Sequence, residues 1–312
     1  MLRGDMTDNL FRVEPEPDEP ASVLYQHTVL AQTCLPYRDP GPDVRVWERA
    51  NGSIRLRVEA GSALHPETGE WVQLGLPFGP KPRLALTLLN ATALRTGSPE
   101  IEVEASLTAF VKRILGGRSG PNGREIRLLK DQLARLSAAS IRLGLLRDGC
   151  TTTINTQIVT AFDLWFRKDE RQRVLWPSTV RLSLDYFASL QRHAVPLDER
   201  AVAALAHNAM ALDLYAWLAQ RLHRVPASRP QLVPWTALKE QFGWHYGRMA
   251  NFRRDFLTTL RLVLDQYPSA KLEVDERGLL LRWSPPPVLC RRSAVPKMPE
   301  PEPPADGGKA PA

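Results

Sequence analysis

The chain of 312 residues is 43% hydrophobic, which suits about two folded domains, and no apolar run is long enough to cross a membrane. Its 41 Lys and Arg outnumber its 34 Asp and Glu, and the net charge of +7 is compatible with a polyanionic partner. Three widely spaced cysteines argue against a disulfide framework, and a first segment without the apolar core of a signal peptide predicts a cytoplasmic protein.

The first part of the chain combines a polar end with a strand-like pattern. Residues 1–20 are acidic and rich in proline, so we predict that they are disordered. The next stretch, 21–35, has the pattern of a short helix. Apolar and polar residues then alternate on both sides of Asn51-Gly52, which predicts a β-hairpin over 43–58. We assign 21–76 to an N-terminal strand and hairpin segment.

A helical region follows. Gly79-Pro80-Lys81-Pro82 marks the start of one helix, and Ser106 is the expected N-cap of another over 107–115. A glycine-rich loop over 116–123 leads into a long amphipathic helix over 124–139. Strands over 141–146 and 151–166 then follow, with a turn at 147–149. The long helix has an apolar face of Ile126, Leu129, Leu133 and Leu136, backed by Arg124, Arg127 and Arg135.

The middle of the chain joins this region to another. Residues 167–197 contain Trp176-Pro177 and an apolar stretch over 180–190, and we interpret them as a connector that packs against its neighbours. Asp198 is an expected N-cap, and apolar residues three and four apart over 202–219 predict one amphipathic helix. This helix belongs either to the core of the second region or to a contact between the two regions.

The last folded region has the order of a winged helix. The pattern predicts a short helix over 235–242, a glycine-containing break over 243–247 and a long helix over 248–267. Two short strands over 271–274 and 279–283 complete the outline. The long helix has a buried face predicted at Phe252, Phe256, Leu260, Val263 and Tyr267. Its other side either lies in a DNA major groove or is an ordinary solvated surface.

The two helical regions form an internal repeat. Leu107-Thr108-Ala109-Phe110 matches Trp235-Thr236-Ala237-Leu238 at an offset of 128, and a glycine-containing loop, a basic helix and a hairpin follow each in the same order. We therefore predict a helix-rich α+β protein with tandem winged helices over 77–166 and 198–284. The proline-rich tail over 285–312 is predicted to be disordered.

The candidate DNA contacts come from helical-wheel geometry and from the turns. They are Arg118, Arg124, Arg127, Lys130, Arg135, Arg147, Arg248, Asn251, Arg254, Thr258, Arg261 and Arg277. The glycine loop around Arg118 is either a flexible turn or a backbone approach to phosphate. His245 and Tyr246 either contact phosphate or sugar, or pack as turn aromatics. Trp235 and Trp244 are predicted to be core residues.

The spacings that catalysis needs are missing from the sequence. The six histidines form no H-x-H or H-E-x-x-H pair, and there is neither a P-loop nor a G-x-S-x-G motif. Neither Asp185 nor Asp213 has a second acid at a spacing that indicates a catalytic pair, so we expect capping or surface roles for them. We predict a protein that is not an enzyme and that needs no metal or cofactor.

Several stretches together resemble the plasmid-encoded RepA replication initiators. The clearest are Leu76-Pro77-Phe78-Gly79-Pro80-Lys81-Pro82-Arg83-Leu84, Arg95-Thr96-Gly97-Ser98-Pro99, Trp176-Pro177-Ser178-Thr179, Ala211-Leu212-Asp213-Leu214-Tyr215-Ala216-Trp217-Leu218 and Tyr267-Pro268. The resemblance covers about 76–288 and leaves the first 75 residues outside.

The resemblance implies a function at a plasmid origin in the bacterial cytoplasm. It implies tandem winged helices that bind repeated double-stranded sites, opening of adjacent A·T-rich DNA, and recruitment of host replication proteins such as a helicase or an origin-binding initiator. The sequence does not decide between a monomer and a homodimer, and no membrane partner is expected. The alternative is a winged-helix transcriptional regulator or autorepressor that does not open DNA.

Overall fold

The computed structural model describes residues 23–64, 68–102, 123–147, 150–156, 158–162 and 179–288. The protein has the predicted α+β architecture, with eight α-helices and several small sheets in these ranges. The predictions for 1–20, Ser106 with the helix over 107–115, Arg118 with most of its glycine loop, and 289–312 lie outside the described residues.

Short strands and helices are interspersed along both halves of the chain. The first half contains β1 (Val23–His27), α1 (Thr28–Gln32), β2 (Val46–Asn51), β3 (Ile54–Glu59), β4 (Ser62–Leu64), β5 (Trp71–Gln73), α2 (Pro80–Thr96), β6 (Glu100–Glu102), α3 (Gly123–Ala138), β7 (Ser140–Arg147), β8 (Cys150–Thr156) and β9 (Val159–Phe162). The second half contains β10 (Thr179–Leu182), α4 (Leu184–His193), β11 (Ala194–Asp198), α5 (Glu199–Ala204), α6 (Ala209–Arg221), β12 (Gln231–Pro234), α7 (Trp235–Phe242), α8 (Met249–Gln266), β13 (Leu272–Val274) and β14 (Gly278–Leu281).

The helix predicted over 21–35 is wrong in its first half. The chain forms β1 there, antiparallel to β11, and turns helical only at Thr28. Pairing with a strand far along the chain outweighs local helix preference. His27 closes β1 and caps α1, because its Nδ1 accepts a hydrogen bond from the Val29 amide at 3.2 Å.

The N-terminal segment shares a sheet with the strands that follow α3. The hairpin β2–β3, predicted from Asn51-Gly52, is confirmed, and Gly52 has the left-handed φ of +55° that its turn needs. β3 pairs with β7 and β7 with β8, which gives an antiparallel order β2-β3-β7-β8. The strand predicted over 151–166 is not continuous, because β8 ends at Thr156 and β9 joins a different sheet.

Two three-stranded sheets have the same strand order. In the second half it is β12-β14-β13, and in the first half it is β6-β10-β9. In each sheet the strand that comes last in the chain, β14 or β10, lies in the centre. The two earlier strands pair with it on either side. The antiparallel pair that corresponds to the hairpin β13–β14 is therefore β9 with β10, and not the hairpin β7–β8 that was predicted for this position from the sequence. β10 lies within the stretch interpreted as a connector.

The helix α6 lies at the centre of the larger core. Every residue from Ala209 to Gln220 is buried, and α6 packs against α1 and α2 on the one hand and α8 on the other. This helix therefore belongs to the core of the second region and also forms the contact between the two regions, the two alternatives that the sequence left open. The single helix predicted over 202–219 is wrong, because the chain breaks after α5 and Asn208 caps α6 through the Ala211 amide. Asp198 caps α5 as predicted.

Buried His27 makes stability depend on pH. Burial, and then the nearby His193, lower the pKa of His27 from 6.5 to about 3. Below pH 6.5 the unfolded chain binds a proton that the folded chain excludes, so stability is complete above this pH and falls as the pH falls towards 3. We expect the exclusion of this proton to lower the free energy of unfolding by about 1.4 kcal/mol when the pH falls from 7.5 to 5.5.

Urea unfolding at the two pH values would measure this cost. In the variant His27→Gln the free energy of unfolding should fall by about 1.4 kcal/mol less between the two pH values, whatever the stability of the variant at pH 7.5. An equal loss in the variant and the natural chain would show that His27 does not control the pH dependence.

Candidate nucleic-acid interface

The turn between α7 and α8 is tight, and glycine makes it possible. α7 ends at Phe242, and the carbonyl of the next residue, Gly243, accepts a hydrogen bond from the Tyr246 amide at 2.9 Å. A Cβ atom on Gly243 would lie 2.3 Å from the Phe252 ring, so a side chain is excluded at this point. Phe252 begins the predicted apolar stripe of α8, which is confirmed: Phe252, Phe256, Leu260, Val263 and Tyr267 are each at most 2% exposed.

The opposite face of α8 is polar and exposed. Its exposed residues recur three and four positions apart at Asn251, Arg254, Thr258 and Arg261, and exposed Arg248 precedes the helix. The Arg254 guanidinium hydrogen-bonds to Asp255 at 2.8 Å and holds the pKa of that carboxyl below its usual value. Within the described ranges, Arg248 and Arg261 have no ion-pair partner.

The hairpin β13–β14 is attached to the start of α7 through Trp235. The Trp235 indole N–H donates to the Asp275 carbonyl at 3.1 Å, and the Trp235 amide donates to the Arg277 carbonyl at 2.9 Å. Trp235 is 5% exposed, as predicted for a core residue, and the Arg253 guanidinium lies 4.7 Å from its ring centroid. The Arg277 side chain, at the tip of the hairpin, is 77% exposed.

Trp244 does not lie in the core, which contradicts the prediction. It is 36% exposed and packs edge-on against Trp47 of β2 at 4.6 Å between ring centroids. Arg49 lies over both rings and donates to the Glu240 carbonyl at 2.7 Å. The turn before α8 therefore contacts the four-stranded sheet, a pairing between distant segments that no local pattern reveals.

His245 and Tyr246 are packed turn aromatics, with their ring centroids 4.2 Å apart. The His245 ring also meets Tyr37 edge-on at 5.8 Å. Burial lowers the pKa of His245, and the neighbouring charges of Arg38 and Arg49 lower it further. Arg38 and Arg49 therefore place positive charge beside the start of α8.

The structure separates the candidate residues of α3 into two groups. Arg124 and Arg127 are exposed, while Leu129, Leu133 and Leu136 are buried as predicted. Arg135 is apart from the exposed pair: it forms ion pairs with Asp39 at 3.3 Å and Asp131 at 3.0 Å. It also lies 5.1 Å from the Phe78 ring centroid. The side chains of Ile126, Lys130 and Arg147 lie outside the described residues.

A buried ion pair between the two halves was not predicted from the sequence. The Arg83 guanidinium donates two hydrogen bonds of 2.7 Å to the Asp213 carboxylate, joining α2 to α6. Burial raises the pKa of Asp213, and Arg83 opposes this rise. The surface or capping role expected for Asp213 is wrong. One signal was present in the sequence: a single acid within the apolar run of α6 needs a buried partner.

Comparison with known proteins identifies the family. The family model described as "Plasmid encoded RepA protein" matches residues 76–237, which is more than half of the chain. The chain belongs to this family. Arg83 and Asp213 both fall within the range that the family model matches. Most of α7, all of α8 and the hairpin β13–β14 follow it.

Two solved structures resemble the chain at low identity. One is a crystal structure of domains 2 and 3 of RctB in selenomethionine form, with 11% identity, a TM-score of 0.46, and coverage of 72% of this chain and 80% of that one. The other, of RctB domains 2–3, has 11% identity, a TM-score of 0.45, and coverage of 75% and 82%. No curated protein sequence matches significantly. Among the described helices, none combines the length and apolar character of a membrane span.

Proposed function

We propose that this RepA-family protein is a plasmid replication initiator that binds repeated duplex sites at the origin through two winged helices. The observation that carries the proposal is the exposed face of α8. The helix exposes Asn251, Arg254, Thr258 and Arg261 on one side, its opposite side is packed in the core, and exposed Arg248 precedes it. A helix anchored in this way presents side chains to base edges without losing its own position.

The element order supports the winged-helix assignment. In the second half, α6, β12, α7, α8, β13 and β14 follow one another as helix, strand, helix, helix and a two-stranded wing. β12 pairs with β14, which closes the sheet behind the helices. In the first half, α2, β6, α3, β9 and β10 occupy the corresponding positions. We therefore propose α3 as the DNA-contacting helix of the first module.

The exposed groups divide into two chemical roles. Arginine and asparagine on the face of α8 match the acceptors and donors of guanine and adenine, and a good bidentate pair gives about 1–3 kcal/mol of base discrimination. Arg277 at the wing tip fits a phosphate contact, which sets position and salt dependence. Arg124 and Arg127 would do the same for the first module. Two linked modules bind the DNA more tightly than one, because once the first module is bound, the second binds its site within the same complex.

Family membership supports the later steps. We propose that binding to adjacent sites strains the duplex, helps to open A·T-rich DNA beside them and recruits host replication proteins, with no catalysis by the chain itself. Permanganate footprinting on supercoiled origin DNA tests the opening. Reactive thymines that appear only with the protein are expected. Their absence at saturating protein would leave a DNA-binding regulator instead.

The binding face can be tested with matched arginine variants. Duplexes recovered from a random pool by the full-length protein serve as the probe. Arg248→Ala with Arg261→Ala should weaken binding to the selected duplex by roughly tenfold or more, because base contacts are lost. Arg192→Ala with Arg200→Ala removes two exposed arginines from α4 and α5 and should bind normally. Equal affinities for both double variants would exclude α8 as the contact helix.

A further inference from the structure

The loop between α1 and β2 is fixed to the buried ion pair. Arg83 donates to the Leu35 carbonyl at 2.7 Å and to the Pro36 carbonyl at 3.3 Å, and the Gly79 amide donates to the Pro36 carbonyl at 3.0 Å. The loop therefore has a defined position although it contains no helix or strand. It belongs to the first 75 residues, which precede the family match.

Two neighbouring side chains of this loop reach the two proposed modules. Tyr37 contacts His245, in the turn before α8, with 5.8 Å between ring centroids. Asp39 forms an ion pair with Arg135, in the last turn of α3, at 3.3 Å. The backbone at Arg38 thus lies between the start of one proposed DNA-contacting helix and the end of the other.

Arg38 itself is exposed and adds to an excess of positive charge. No carboxylate within the described part of the chain pairs with it. Its charge lowers the pKa of His245 and of Tyr246, in keeping with a position beside the turn before α8. Asp255, the acid whose charge raises the pKa of His245 and Tyr246, already bonds to Arg254. An exposed arginine with no acidic partner in a position fixed by the fold is suited to a polyanion.

We propose that Arg38 binds the phosphate backbone of duplex DNA between the bases contacted by α3 and those contacted by α8. The inference rests on the proposed function and extends it to the loop before β2. A phosphate contact at this position would fix the register of the two modules on one duplex without reading sequence.

Salt dependence of binding tests the contact. Arg38→Ala should reduce the slope of log affinity against log salt by about 0.9, the value for one lost phosphate contact. Affinity should fall by a similar factor on a selected duplex and on an unrelated one. Arg38→Lys should keep the slope, and Arg95→Ala, an exposed arginine on α2, is the matched control. A slope of Arg38→Ala equal to that of the natural chain would overturn the inference.

Ethylation interference gives a second measurement on the natural chain. We expect interference at one or two phosphates between the segments protected by the modules, and its loss in Arg38→Ala. Natural protein with no interference there would count against the contact, even if the variant folded poorly. If Arg248→Ala with Arg261→Ala weakens binding and Arg38→Ala does not, only this inference fails. If neither does, the proposed function fails with it.

Discussion

Replacing Asp213 with alanine should lower the free energy of unfolding by about 3–5 kcal/mol, because it leaves the Arg83 guanidinium buried without its counter-charge. Arg83 is buried, at 3% exposed. Its remaining acceptors are the carbonyls of Leu35, Pro36 and Gly79, which offset only part of the lost interaction.

Urea unfolding of the variant measures this loss. Asp185→Ala removes an exposed acid from α4 and should change stability by less than about 0.5 kcal/mol. Replacing both partners, as in Arg83→Met with Asp213→Leu, should cost less than Asp213→Ala alone, because no charge is then left buried. A loss below about 1 kcal/mol for Asp213→Ala would mean that Arg83 finds another partner or reaches solvent.

The sequence was a good guide where a structure depends on one local period. The stripe of α8 and the three described residues of the α3 stripe, Leu129, Leu133 and Leu136, are buried as predicted, because each helix buries the face that its own spacing defines. The hairpins β2–β3 and β13–β14 also follow from short-range alternation and turn residues. These elements were enough to predict the candidate DNA-contacting face of α8.

The sequence was a poor guide where a structure depends on pairing across the chain. β7 and β8 were predicted as a hairpin, but nothing local shows that β7 pairs with β3 and that β10 closes the other sheet. The same limit applies to Trp244, which meets Trp47, and to Asp213, which meets Arg83. Arg135 had the spacing of an exposed residue, but its partner Asp39 comes from a distant loop.

Gly243→Ala should be among the most damaging single substitutions in the second module. The added Cβ would lie 2.3 Å from Cδ2 and 2.6 Å from Cε2 of Phe252. That ring is fully buried between Tyr246 and Phe256, with centroid distances of 5.7 and 5.2 Å, so it has no free space to enter. Overpacking of this kind costs about 1–3 kcal/mol and sometimes more, and the clashing atoms all belong to one rigid ring.

The same clash should impair DNA binding beyond its effect on stability. Relief requires the turn to move away from α8, and this turn carries the His245 contact and leads into Arg248. Gly247→Ala is the matched control, since a Cβ at that position meets nothing within 4 Å. Thermal unfolding and duplex binding should both stay close to normal in the control, while Gly243→Ala lowers both.

A double-mutant cycle separates the clash from a general need for glycine. In a Phe252→Leu background the ring is gone, so Gly243→Ala should cost less than about 1 kcal/mol although Phe252→Leu is itself destabilising. An undiminished cost would place the need for glycine in the backbone and not in the ring contact. A reduced cost with restored duplex binding would show that the closeness of the turn to Phe252 is what positions α8 towards DNA.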